Sequence, residues 1–297
     1  YTLSHTTLFR SRRRLGADGA QRSAPLMRDP AGGRGAHRVA AVGVVAGALL
    51  LLVLLALPIV VLLVRGGVKG LGQLGSDGEL RAALWLTAQT ATVATLLTVL
   101  LGTPLAYLLA RDRMPAGGFV GALLDLPLLI PHPVAGMALL LAFGRASPAG
   151  AALAQLGLAI VGSRNGIVLA MLFVAAPLYV SAAREAIARV DVRYESVART
   201  LGDSPLRAAW RVTRPLAGRG LLAAAVVMWA RAVSEFGAIV ILTYNPKVAS
   251  VLSYDRFTGE GLDAALPVAA VLVILALVPL LVLRSLRAGT ALGERAR

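Results

Sequence analysis

Three stretches of this 297-residue chain run without a charge for longer than most soluble folds accommodate: residues 39–64 (26 residues), 82–110 (29) and 264–283 (20). About 20 apolar residues in a helix cover the ~30 Å hydrocarbon layer of a bilayer, so each run is long enough to cross. Within lipid, backbone N–H and C=O groups must bond inside the segment, which makes helices the expected form. The composition agrees: 57% of residues are hydrophobic, against roughly 45–50% in soluble domains. Six spans are predicted, at residues 39–64, 80–110, 119–143, 166–187, 220–244 and 262–283. The third carries Asp125, and the fifth carries Arg231 and Glu235. The expected fold class is all-α, a polytopic membrane protein with six transmembrane helices.

The formal net charge of +15 raises the question of nucleic acid, and the positions of the charges answer it. Residues 1–38 and the connections after the second, fourth and sixth predicted spans, with Arg184 at the inner end of the fourth span, together hold twenty-two Lys and Arg, and the opposite connections, with Arg81 at the outer end of the second span, hold seven. Positive residues accumulate on the cytoplasmic side of membrane proteins. Both termini are therefore expected in the cytoplasm, in a multi-pass protein of the cell membrane, and the charge needs lipid rather than nucleic acid as its partner. The domains expected are a disordered basic tail (1–38), a first transmembrane helix (39–64), a core of five further helices (80–283) with a cytoplasmic segment at 190–218, and a cytoplasmic tail (284–297). The first apolar run is too long for a cleaved secretory signal. The chain does not begin with Met, and Met27 is an alternative natural start. The connection 144–165 contains a short apolar stretch, 149–161, expected as an interfacial or re-entrant helix. No cysteine is present, which removes disulfides and thiolate chemistry.

One cytoplasmic stretch is polar between two greasy ones: "ESVARTLGDSPLRAAWRVTRP", Glu195 to Pro215. It reads as two helices and a turn. The first continues from the membrane through residues 182–190 and stops at Leu201-Gly202, since glycine tolerates the left-handed conformation a helix stop requires. Ser204 is a good N-cap with Pro205 at the first helical position. The second helix is expected over 206–213 and is closed by Pro215, which disfavours helical geometry in the residue before it. Helical spacing puts Leu206, Ala209, Trp210 and Thr213 on one face and Arg207, Arg211 and Arg214 on the other. Such a helix suits a groove on another protein or the headgroup layer of a membrane.

The same residues resemble the cytoplasmic signature of binding-protein-dependent ABC importer permeases: Glu-Ala-Ala, three residues, Gly, some nine residues, then Ile-x-Leu-Pro. Ser196-Val197-Ala198 falls on Glu-Ala-Ala, Gly202 on the glycine, and Val212-Thr213-Arg214-Pro215 on the last four. Ser196 stands where the family has Glu, with Glu195 beside it, and Arg214 stands where it has Leu. Two longer stretches, "DLPLLIPHPVAGMALLLAFG" and "WARAVSEFGAIVILTYNPKVASVLSYDRFTGEGLDAALPVAA", resemble the molybdate/tungstate branch of these permeases. The resemblance implies the MetI-like fold of type I importers. It implies a homodimer of this permease working with two ABC ATPase subunits and an extracytoplasmic oxyanion-binding protein. No cofactor is implied for this chain, ATP and Mg being used by the ATPase. The coupling residues it implies are Glu195, Ser196, Val197, Ala198, Gly202, Asp203, Ser204, Pro205, Arg207, Trp210 and Pro215. A sulfate/thiosulfate permease is the alternative substrate reading.

Arg231 and Glu235 are charges deep in a predicted span, where they are costly and normally face the bundle interior or a water-filled path. Being four apart, they can pair on one helix face. Two readings stand: a buried ion pair that fixes packing, or a transport pathway group formed with Ser234 and Gly237, which permits close helix approach. His132, between two prolines, suits a packing or loop role, and Asp125 a bent-helix site. Gly66-Gly67 and Gly117-Gly118 read as turn or loop glycines. No phosphate loop of the Gly-x-x-x-x-Gly-Lys-Ser/Thr kind occurs, so no ATPase activity is expected of the chain. A secondary transporter would need mid-membrane acidic sites and internal repeats, and an intramembrane enzyme would need paired catalytic groups. Neither pattern is evident.

Overall fold

The computed structural model describes residues 32–295, whose regular elements are all helices, with no strand among them. The elements are α1 (Gly32–Gln73), α2 (Gly78–Ala110), α3 (Gly117–Leu129), α4 (His132–Phe143), α5 (Pro148–Gln155), α6 (Arg164–Ala188), α7 (Val192–Thr200) and α8 (Pro205–Ala208). A π turn at Ala209–Thr213 leads into α9 (Arg214–Val233), followed by α10 (Gly237–Leu242), α11 (Ala249–Glu260) and α12 (Leu262–Arg295). Five stretches are long and apolar enough to span a membrane, and the pair α3–α4 brings the count to six if it is one broken span. The pair is bent by 115°, inside the stretch 119–143 expected as the third span, where the prolines around Asp125 already suggest a bent helix. The cause lies at Ile130 and Pro131, both extended (φ −81°, ψ 142° and φ −56°, ψ 135°). Ile130 precedes a proline, and Pro131 and Pro133 supply no N–H to the ladder.

The chain divides into two compact units, Tyr1–Ala56 and Leu57–Arg297. Described residues of the first unit are helical from Gly32. Residues 32–38, expected in a disordered tail, thus belong to a helix, because the adjoining apolar run propagates helix into them. Residues 1–31 of that tail, with Met27, lie outside the described residues. From Val42 to Leu55 the large side chains are exposed on every side of the helix, the distribution of a helix that meets lipid.

The second unit is organised by α2, which packs along α6, while α6 packs along α9. The buried stripe of α2 is Leu80, Ala83, Thr87, Thr90, Ala91, Ala94, Thr98, Gly102 and Ala106, a helical repeat of small residues that lets the backbones approach. Its threonines cost little in the bundle because each hydroxyl donates to the carbonyl four residues back, at 2.7 Å for Thr87, Thr90 and Thr95. Gly66 and Gly67 lie within α1 rather than in a turn, and Gly117–Gly118 open α3. A Cβ at Gly70 would stand 2.5 Å from the Pro267 carbonyl of α12, and Gly66 faces the Leu266 carbonyl as closely. Close packing thus accounts for these two glycines. At the start of α2, Asp77 caps the helix, accepting from the Leu80 amide at 2.9 Å, and pairs with Arg256 of α11 at 2.7 Å. The stretch 149–161 is only partly helical, α5 ending at Gln155.

Candidate functional site

At the other end of α2 the chain builds the polar segment. The helix does not run through from the membrane as expected: α6 stops at Ala188, and Asp191 caps a new helix, α7, its Oδ1 accepting from the Arg193 amide at 2.9 Å. The break leaves the Val190 carbonyl free to accept from Arg111 Nη1 at 3.0 Å. The stop of α7 is as expected. Gly202 is left-handed (φ +97°), its N–H donates to Arg199 O and that of Asp203 to Ala198 O, both at 3.1 Å, which together make the paired bonds of a Schellman end. Ser204 caps α8 with Pro205 at its first turn, and its Oγ accepts from the Arg207 amide at 3.4 Å.

Pro215 does not close the second helix. Residues Pro205–Val233 form one continuous stretch, and Arg214 is itself helical (φ −58°, ψ −49°). In a regular α-helix the Pro215 ring would press on the carbonyl four residues earlier. The π turn relieves this: the Arg214 amide reaches back five residues to Ala209 O, so the helix passes the proline by widening rather than by stopping. The surplus residue also changes which side faces in. Ala208 and Thr213 are buried, whereas Leu206 and Trp210, expected to share a face with Thr213, are exposed at 80% and 63%. Trp210 lies under the Arg214 guanidinium, 4.1 Å from ring centroid. Asp203 holds Arg211 at 3.3 Å and Arg207 at 3.8 Å. With Val197 and Leu201 also exposed, the segment presents an apolar knob fringed by arginines.

Beneath the knob lies Glu195, 2% exposed. Its Oε1 accepts from Arg111 Nε at 2.9 Å and from Thr213 Oγ1 at 2.5 Å, and its Oε2 accepts from the Tyr107 hydroxyl at 2.8 Å. Arg111 Nη2 approaches Oε1 at 2.7 Å with both side chains 3% exposed. Burial alone would raise the Glu195 carboxyl; the hydrogen bonds from Thr213, Tyr107 and Arg111 and the guanidinium charge outweigh it and hold it below the ordinary value. Three parts of the fold therefore meet on one carboxylate: the end of α2, α7, and the π turn. Ser196, which falls on the signature glutamate, is exposed, so the buried carboxylate is one position earlier. Sequence reasoning missed Tyr107, Arg111 and Thr213 as partners. Arg111 was legible only as a cytoplasmic charge, although a buried glutamate needs a nearby cation.

A second cluster forms where two helices break. The expected span 220–244 is interrupted: α9 ends at Val233, Ser234 caps it, and α10 starts only at Gly237. Arg231 and Glu235 pair at 3.0 Å nonetheless, with side-chain exposures of 24% and 1%. Glu235 Oε1 accepts from the Ala238 amide at 2.9 Å, satisfying one of the free donors at the start of α10. Its Oε2 lies 2.8 Å from His132 Nδ1, and neither that contact nor the one to Arg231 has hydrogen-bond alignment. Arg231 Nη2 in turn lies 2.9 and 2.8 Å from the two ring nitrogens of His132. His132, read from sequence as a packing or loop residue, is thus the third member of the cluster, and is 37% exposed. The signal was a histidine at a proline break within an apolar run. Gly237 sets the approach: a Cβ there would stand 2.7 Å from His132 Cβ. Ser234 is not brought in, since its hydroxyl donates to the Arg231 carbonyl at 3.0 Å and the residue is exposed. Asp125 is exposed on α3.

Residues 102–289 match the family described as binding-protein-dependent transport system inner membrane component. The chain is 44% identical over 195 residues to the molybdate/tungstate transport system permease protein WtpB of Pyrococcus furiosus, covering 66% of this chain and 73% of the relative. It is 34% identical over 247 residues to the molybdenum transport system permease protein ModB of Mycobacterium tuberculosis, covering 83% and 93%. Its fold is similar to a chain in the crystal structure of a bacterial ABC transporter involved in import of the acidic polysaccharide alginate, with a TM-score of 0.62 at 16% identity over 84% of this chain and 94% of that one. With five to six apolar helices, a capped polar segment in the signature position and this match over most of its length, the chain belongs to the binding-protein-dependent transport system inner membrane components.

Proposed function

We propose that the chain is the permease subunit of an ATP-driven importer for molybdate or tungstate. The substrate class rests on the relatives, one named for molybdate and tungstate and the other for molybdenum. The mechanism rests on one observation: the exposed knob around Leu206 and Trp210 is rooted, through Thr213 and Glu195, in the end of α2. In this reading two copies of the chain form the pathway, two ATPase subunits receive the two knobs, and an extracytoplasmic binding protein delivers the anion. Both termini and the knob lie on the cytoplasmic side, in keeping with the excess of arginine there. The ATPase hydrolyses ATP with Mg, and this chain contributes no ATP site of its own.

Closure of the ATPase pair displaces the knob. Glu195, on α7, accepts from Tyr107 and Arg111 at the end of α2 and from Thr213 ahead of α9, so the displacement reaches two spans at once. Differential affinity of ATP for the two states then drives the switch of access.

Reconstitution with the ATPase and the binding protein tests this. Uptake of radiolabelled molybdate should require ATP, and the purified chain alone should release no phosphate. Gly202→Val, which places a β-branched residue at φ +97°, should leave ATP hydrolysis running while uptake falls at least tenfold. Normal uptake by that variant would remove the segment from the coupling role. Uptake of sulfate in preference to molybdate would move the substrate to the alternative class.

A further inference from the structure

Glu235 uses its two oxygens differently. Oε1 is tied to the backbone through Ala238. Oε2 sits between two cationic or polar side chains, His132 Nδ1 at 2.8 Å and Arg231 Nη2 at 3.0 Å, with hydrogen-bond alignment to neither. A carboxylate that served packing alone would be expected to saturate both oxygens, since an unaligned buried oxygen forgoes stabilisation. Arg231 and His132, by contrast, remain reachable at 24% and 37% exposure, and the backbone is unwound beside both of them, at residues 130–131 and 234–236. A partly exposed arginine and histidine on one side and a buried, half-anchored carboxylate on the other have the form of a site whose own chain supplies a stand-in anion.

We propose that Arg231 and His132 form a transient binding site for a tetrahedral oxyanion, and that Glu235 Oε2 occupies it when no such ion is present. An incoming dianion takes over the Arg231 guanidinium and the His132 ring nitrogen, while Glu235 stays anchored through Oε1 and the Ala238 amide. When the anion leaves, Oε2 returns and the pathway is again neutralised. Weak binding is built in, because the substrate must displace a tethered competitor; a passage site must release as readily as it binds. The proposal rests on the importer reading, since it takes the ion to be the transported one. It adds a site within the membrane to the one on the external binding protein.

The test uses the permease–ATPase complex without binding protein, with radiolabelled molybdate as probe. Glu235→Gln removes the competing charge and should tighten molybdate binding at least tenfold over the unaltered complex. Adding Arg231→Gln to Glu235→Gln should abolish the gain. Equal binding by the unaltered complex, the single and the double variant would overturn the site and leave the cluster a packing device. Should Glu235→Gln fail to assemble, the unaltered complex still answers. Carbethoxylation of His132 by diethylpyrocarbonate, followed by peptide mass, should slow at least threefold in molybdate relative to chloride at equal ionic strength, with added N-acetylhistidine as the reference. Identical rates at His132 in the two salts would overturn the proposal. Molybdate uptake by the fully assembled, unaltered transporter is measured alongside. If uptake itself is absent, the importer reading fails; if uptake is normal and the binding results are flat, only the anion site falls.

Discussion

Two carboxylates are buried in this bundle to almost the same degree, and they are held in opposite ways. Glu195 receives hydrogen bonds on both oxygens from three side chains on two other elements and pairs with an arginine as buried as itself. Glu235 is fixed by one backbone amide and faces two partly exposed partners with its free oxygen. The difference teaches what each position tolerates. A buried carboxylate bonded on both oxygens is costly to separate from its partners, so the elements it joins move together. A half-anchored one is open to replacement by another anion. The first arrangement suits transmission of force, and the second suits exchange.

The comparison is broken most directly at the arginines. Arg111→Met leaves the buried Glu195 carboxylate with only Arg113, 4.0 Å away and 38% exposed, as a charge partner, a change that costs about 3–5 kcal/mol. Arg231→Met should cost far less, about 1–2 kcal/mol, since Arg231 is solvent-reachable and the Ala238 amide and His132 remain on Glu235. Thermal unfolding in detergent, read by intrinsic fluorescence, checks both; equal losses would mean that the two carboxylates are held alike. An effect of comparable size, about 1–3 kcal/mol from overpacking, is expected from Gly237→Ala, whose Cβ must push His132 aside. That variant should alter the diethylpyrocarbonate reactivity of His132 while leaving the Glu195 cluster and ATPase association untouched. Weakened association with the ATPase would join two regions described here as separate.

The smallest effect is in acid. Because the Glu195 carboxyl is depressed in the folded chain, its contribution to stability is fully present above the ordinary glutamate value of about 4.5 and is lost as pH falls through the lower folded value. Below about pH 4.5 the unaltered complex should therefore shed ATPase, or melt, more steeply than Glu195→Gln. Parallel acid profiles would show that the carboxylate's charge does not hold the segment.

Most of the spans were legible because length and lack of charge suffice to define a membrane helix. The helix ends in the polar segment were legible too, since Gly202, Ser204 and Pro205 act locally. What the sequence concealed depends on contacts between distant parts. The bend at Ile130–Pro131 was signalled by prolines, yet hydropathy runs straight through it. Arg111 and His132 carry ordinary identities and become functional candidates only when α2 meets α7 and α4 meets α10. Pro215 misled because a local rule, that a proline ends the helix before it, was overridden by a single surplus residue.

That surplus residue also acts as a phase setting. Each residue of an α-helix turns the chain by about 100°, so deleting one position among Ala209–Thr213 would wind everything ahead of α9 round by roughly that angle. Trp210 would swing toward the bundle and Thr213 would leave Glu195, without the loss of any cap or charge. Alignment of the exposed face around Leu206 and Trp210 with the membrane helices is thus stored in the count of residues between Pro205 and Pro215, and a chain of this family that is one residue shorter there would have to re-time its entire inner surface.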